Sequence, residues 1–120
     1  VALGSSYAGL FSNNDALTKH LIEAGIASGE KLWHMPLCED YVNMIKSDIA
    51  DLANLGNQRG AAGSSTAAQF LEKFTNNTHW AHLDIAGVAW DEQNKGGASN
   101  KGATAFGIRL LNQLIKDHYE

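Results

Sequence analysis

The chain of 120 residues is short of several things, and each shortage removes a class of protein. It has a single cysteine, Cys38, so no internal disulfide can form. That excludes a disulfide scaffold and is consistent with a reducing compartment. One proline beside 12 glycines excludes a collagen-like chain. Bases are in the minority, nine Lys and Arg against 13 Asp and Glu. The net charge is -4, the pI is near 5.7, and no basic patch or stripe of the kind nucleic-acid binders carry is present. No apolar run approaches the roughly 20 residues that span a bilayer. No basic segment leading into an apolar one marks a secretory signal. What remains is ordinary globular composition, with 44% hydrophobic, 18% charged and 8% aromatic residues. This is the make-up of one domain, or a piece of one, and not of a disordered tail.

An initiator Met is also missing. The chain opens Val1-Ala2-Leu3-Gly4, an apolar start that reads as the middle of a strand, so the expectation is a fragment of a longer protein. No repeat, low-complexity segment or composition shift divides residues 1–120, which are expected to form a single, incomplete domain. Val1–Leu3 and Tyr7–Phe11 read as short strands bounded by Gly, Ser or Asn. Asn13, Asn14 and Asp15 offer N-caps for a helix from about Ala16 to Ala27, with Leu17, Leu21, Ile22 and Ala24 at helical spacing and Gly29 as its stop. Pro36 precedes a shorter amphipathic segment in which Tyr41, Met44 and Ile45 recur at i, i+3 and i+4.

After the glycine-rich stretch 56–63, Ser64, Ser65 or Thr66 is expected to cap a helix carrying Ala67, Phe70, Leu71 and Phe74 on one stripe, with Asn76-Asn77 ending it. Trp80–Ala86 is the strongest strand. The polar stretch from Gly87 to Gly102 is too long for a simple connector, which marks it as a functional candidate. The last helix is predicted from about Thr104 to Asp117, with Gly107, Leu110, Leu111, Leu114 and His118 on its core side. Strands alternating with helices imply an α/β layer fold. Three visible strands are few for four helical segments, so partner strands are expected upstream.

Several residues could carry chemistry. His82 and Asp84 stand two apart on a predicted strand and project from one face, as two ligands of a divalent-metal site would. A third ligand would have to be His20, His34, His79 or His118, none at a recognisable spacing, so hydrogen bonding within the fold outweighs a metal role. His79 and His82 face opposite ways on a strand. The 56–63 loop leading into a helix could hold an anion at the helix N-terminus, but it has neither P-loop nor dinucleotide spacing, and the structural reading is favoured. Cys38 has no basic neighbour in sequence to activate it. Asp48 and Asp51 read as capping or solvated residues, Asn76-Asn77-Thr78 as a sequon without consequence, and Lys95 and Lys101 as exposed lysines. Taken alone, these residues name no reaction.

Six collinear segments add a resemblance. They are Val1-Ala2-Leu3-Gly4, Trp33-His34-Met35-Pro36-Leu37, Ala50-Asp51-Leu52-Ala53-Asn54-Leu55-Gly56, Thr66-Ala67-Ala68-Gln69-Phe70-Leu71, Trp80-Ala81-His82-Leu83-Asp84-Ile85-Ala86-Gly87 and Lys101-Gly102-Ala103-Thr104. Together they resemble the C-terminal part of the catalytic domain of the leucyl aminopeptidases, the cytosolic dimetal peptidases of family M17. The resemblance covers essentially the whole chain. It departs at Ala105-Phe106-Gly107, where many members read Gly-Arg-Pro, and this puts local packing at a helix start in doubt.

The resemblance implies an α/β fold, a partial three-layer α/β/α sandwich with a mixed central sheet, truncated on its N-terminal side. It implies hydrolysis of N-terminal residues from peptides, with a Leu-type preference, by two divalent metal ions, Mn2+ or Zn2+. The family's metal ligands include the acids of an Asn-Thr-Asp-Ala-Glu-Gly-Arg motif that this chain lacks, so no catalytic or metal residue is expected here and the chain alone is expected to be inactive. By position in the matched segments, Ala86 and Ala89 are expected to line the pocket for the substrate's N-terminal side chain, and Leu55 the next subsite. A cytoplasmic homo-hexamer acting on peptide substrates is implied, with no membrane and no nucleic acid as partner. The alternative is a non-catalytic interaction or assembly module that retains the fold.

Overall fold

The computed structural model describes residues 2–50, 61–91 and 102–120. Five strands and four helices follow in the order β1 (Ala8–Ser12), α1 (Asp15–Ser28), β2 (Leu32–His34), α2 (Glu39–Ala50), α3 (Gly63–Glu72), β3 (Ala81–Asp84), β4 (Trp90–Asp91), β5 (Gly102–Ala103) and α4 (Ile108–His118). β1 lies between β2, to which it is parallel, and β3, to which it is antiparallel, while β4 and β5 form a separate antiparallel pair. The sheet is therefore mixed, and β1–α1–β2 is a crossover unit whose helix lets two parallel strands sit side by side.

The sequence of β1 explains its central place. Ala8 to Phe11 are all buried, as expected of a strand covered on both faces. Ala8 and Leu10 pack with Leu21 and Ala24 of α1, Leu32, Val88, and Leu110 and Leu114 of α4. Phe11 points the other way, to Ala68 of α3 and Trp80. The two-residue alternation of the strand thus assigns α1 and α4 to one face and α3 to the other, giving the layered α/β arrangement.

Helix α1 begins where a good cap stands. Asn14 is extended and its Oδ1 accepts the Leu17 N–H at 2.8 Å, while Gly29, at φ 77°, closes the C-terminus in the left-handed region. The return from α1 to β2 is tight. A Cβ on Gly25 would stand 2.6 Å from the Glu30 carbonyl oxygen. Glu30 itself is only 3% exposed, and its carboxylate reaches the start of α4, accepting the N–H groups of Gly107 at 3.1 Å and Leu110 at 2.7 Å. Gly107, at φ 107°, offers no side chain as a local cap, so a residue 77 positions earlier performs that task.

The structure departs from the sequence expectations at five places. Ala2–Leu3 lie in a turn, not a strand. β2 was not anticipated, because it has three residues and only Leu32 is buried. α3 starts at Gly63 behind Ala62, which adopts φ 50°, so Ser64, Ser65 and Thr66 lie inside the first turn instead of capping it. α3 also ends at Glu72, before Asn76 and Asn77, which form a left-handed turn at φ 50° and 60°. Finally, α4 begins at Ile108, because Gly102–Ala103 pair with Trp90–Asp91 and the Thr104 N–H donates to the Ala89 carbonyl at 3.0 Å. Leu110 and Leu114 are buried as expected on α4, whereas Leu111 and His118 are exposed.

Candidate functional site

At the end of the sheet where β1 begins and β3 finishes there is a cavity of about 440 Å³. Tyr7 and Gly9 reach it from β1, Met35 from beyond β2, Ser64 from the first turn of α3, Asp84 from the last residue of β3 and Gly87 from the following turn. Gly9 is small for a reason. A Cβ there would lie 3.3 Å from the Met35 Cγ and 3.7 Å from the Asp84 Cβ, so any side chain would crowd both.

Asp84 organises this end of the sheet. Its Oδ1 accepts the Ala86 N–H at 3.1 Å, the geometry of an Asx turn. The Ser64 hydroxyl donates to the same carboxylate and is the main cause holding the Asp84 carboxyl below the usual aspartate range. Burial pushes the other way, and the Ala86 N–H and the charge of His82 reinforce the lowering. The turn it opens is closed by the Val88 and Ala89 N–H groups, which donate to the Ile85 carbonyl at 3.0 and 2.9 Å. Thr104 braces it from outside, its hydroxyl donating to the Val88 carbonyl at 2.6 Å.

The residues singled out in the sequence fall as follows. Ala86 and Ala89 sit in this turn on either side of Gly87, Ala86 exposed and Ala89 half-buried. Leu55 lies outside the described residues, as do Asp51, Lys95 and Lys101. His82 and Asp84 share one face of β3, as their spacing requires, but the His82 ring lies 5.9 Å from that of Phe11, while Asp84 serves Ser64 and Ala86. The other histidines are dispersed. His20 stacks on His118 at 3.7 Å, His79 is in hydrogen-bond range of the Asn14 amide at 3.4 Å, and His34 is exposed on β2.

Among the described residues no three His, Cys, Asp or Glu side chains converge, so their donor set does not fit a dimetal centre. Cys38 is a free, exposed thiol. Of the glycine-rich stretch only residues 61–63 are described, and the helix start beyond them already faces a carboxylate from within the chain, Asp84. Tyr7, Gly9, Met35 and Ser64 were not anticipated as cavity residues. Their only sequence signal is that Gly9 interrupts an otherwise apolar strand.

Comparison with known proteins places this geometry. The model of the cytosol aminopeptidase family, catalytic domain, matches residues 1–112. A probable cytosol aminopeptidase of Rickettsia bellii is 57% identical over 121 aligned residues, covering 100% of this chain and 24% of that protein. The cytosol aminopeptidase of Rickettsia prowazekii is 58% identical over 119, covering 98% of this chain and 24% of the relative. The chain therefore spans about a quarter of the length of these relatives. Among solved structures, a mutant of tomato leucine aminopeptidase superposes with a TM-score of 0.76 at 42% identity, over 95% of this chain and 21% of that one. Match of the family model over nearly the whole chain, close relatives and a shared fold lead to one conclusion: the chain belongs to the cytosol aminopeptidase family, within the catalytic domain.

Proposed function

We propose that this chain is the C-terminal portion of the catalytic domain of a cytoplasmic leucyl-type aminopeptidase, and that it supplies one wall of the pocket for the substrate's N-terminal side chain. The observation that carries the proposal is the cavity beside the Ile85–Ala89 turn. Its volume, about 440 Å³, lies within the range of small-molecule sites. The small side chains of Ala86 and Ala89 beside Gly87 leave space for a group the size of leucine or methionine. Peptides are the substrates of this reading, and a homo-hexamer its assembly.

The chemistry of such an enzyme is metal-assisted hydrolysis by two divalent ions, Mn2+ or Zn2+. Since the described residues provide no fitting donor set, the ligands are assigned to the part of the parent protein that this chain does not span. The role left to the present residues is to bind and orient the side chain of the N-terminal residue and to exclude water from it.

Two measurements test this reading. In the full-length parent enzyme, Ala86→Leu and Ala89→Leu are expected to lower kcat/KM for leucine p-nitroanilide while sparing the glycine analogue. Unchanged preference in both variants would remove Ala86 and Ala89 from the pocket. The purified 120-residue chain with added Mn2+ is expected to show no chelator-sensitive hydrolysis, and turnover that follows its elution peak would overturn the assignment of the ligands elsewhere.

A further inference from the structure

The Asp84 carboxylate is used twice, and both uses point at the cavity. One bond runs back to Ser64 at the start of α3, and the other runs forward to the Ala86 N–H in the turn. Asp84 belongs to neither apolar core cluster and is half-buried on the cavity side, where the absent side chain of Gly9 leaves it room. It therefore joins three separate parts of the lining, the end of β3, the N-terminus of α3 and the Ile85–Ala89 turn, which otherwise meet only across open space. A carboxylate in this position also suits the positive end of the α3 dipole, which favours the pair remaining formed.

We infer that Asp84, held by Ser64, is a positioning residue that sets side-chain selectivity by fixing the turn carrying Ala86 and Ala89 against α3. The inference rests on the pocket reading given above, and it assigns Asp84 no contact with the reacting atoms. Loss of the link lets the turn drift away from α3 and enlarges the pocket. A large N-terminal side chain then loses contacts that a glycine never made, so leucyl and glycyl substrates diverge. The hydrogen bond to the Ala86 N–H needs only an acceptor oxygen, so an amide at position 84 retains it. The link to α3 needs the Ser64 hydroxyl.

The test uses the full-length parent enzyme, assayed with leucine and glycine p-nitroanilides. Asp84→Ala is expected to raise KM for the leucyl substrate about tenfold with little change in kcat, and Ser64→Ala about fivefold, the effect of one or two lost hydrogen bonds. The glycyl substrate is expected to move by less than about twofold in either variant. Asp84→Asn is expected to recover most of the leucyl KM. Equal losses on both substrates, or no loss on either, would overturn the inference, since a merely structural Asp84 has no reason to distinguish side chains. Should Asp84→Ala fail to fold, Ser64→Ala and Asp84→Asn decide the matter by the same ratio. If Ala86→Leu and Ala89→Leu leave selectivity unchanged, the pocket reading itself fails. If they alter it while the Asp84 and Ser64 variants do not, only the present inference falls.

Discussion

Glu30 shows how much can hang on one side chain. It is a buried carboxylate whose two oxygens receive the Gly107 and Leu110 N–H groups, with the Arg109 Nε 3.9 Å away. Its negative charge sits at the positive end of α4, and the bonds it accepts are charge-assisted. Glu30→Ala leaves those donors buried without a partner and is expected to cost about 2–3 kcal/mol of stability, read as a lower urea midpoint. Asp84 makes a prediction with a definite sign. Its carboxyl is held below the ordinary range when folded, so its contribution is full above the unfolded value of about 3.9 and fades as pH falls through the lower folded value. The stability difference between the wild type and Asp84→Asn should therefore be constant from about pH 5 to 8 and shrink only below about pH 4, followed by urea titration at each pH.

The two cases also mark what single residues reveal in advance. That His82 and Asp84 share a face was legible, because strand periodicity is a local property. The bond from Glu30 to α4 was not, because the partner lies 77 positions away and nothing near either end announces it. Ser64 was read as a cap from its type, but its hydroxyl is engaged by a carboxylate from another strand.

Among elements, α1 was the most legible, since its apolar spacing, Asn14 and Gly29 all agree on the same boundaries. Removing the cap by Asn14→Ala should cost about 1 kcal/mol, with the loss seen in the thermal midpoint. Reversal of that sign would mean that Thr18, whose hydroxyl donates to the Asn14 carbonyl at 2.9 Å, and not the Asn14 side chain, sets the start of the helix. β2 and the true start of α4 escaped notice for a common reason. Both are set by pairing with segments distant in sequence, β2 with β1, and Gly102–Ala103 with Trp90–Asp91, and neither pairing leaves a periodic trace in three or two residues. The helix α3 was legible as a helix but not at its ends, because the chain turns at Ala62 through a left-handed conformation that alanine seldom adopts.

At the scale of the molecule, the exposed apolar surface stands out. On α4, Ile108, Leu111, Ile115 and Tyr119 form a stripe at i, i+3, i+7 and i+11, each 45% exposed or more. On α3, Phe70 and Phe74 meet edge to face at 5.4 Å, also in the open, with Leu71 beside them. Patches of this kind favour association. The 120-residue chain is expected to scatter light as a concentration-dependent oligomer, and Ile115→Lys to shift it toward the monomer. A monomeric mass for the unmodified chain at tens of micromolar would contradict this. The α/β class was legible from the alternation of strands and helices, and the collinear segments carried the family resemblance. The sheet order was not, because only the three-dimensional register shows that β1 lies between β2 and β3.

That central position has a consequence for how the cavity responds to what enters it. β1, paired on both sides and buried, carries Gly9 and so forms a stiff floor. The opposite side is a five-residue turn tied by a handful of hydrogen bonds, with Ala86 open to solvent. A bulky occupant will therefore make room by moving the turn and leave the strand where it is. Adaptation of the site to larger side chains is written into residues 85–89, whose ties can be loosened one at a time without unpicking the sheet.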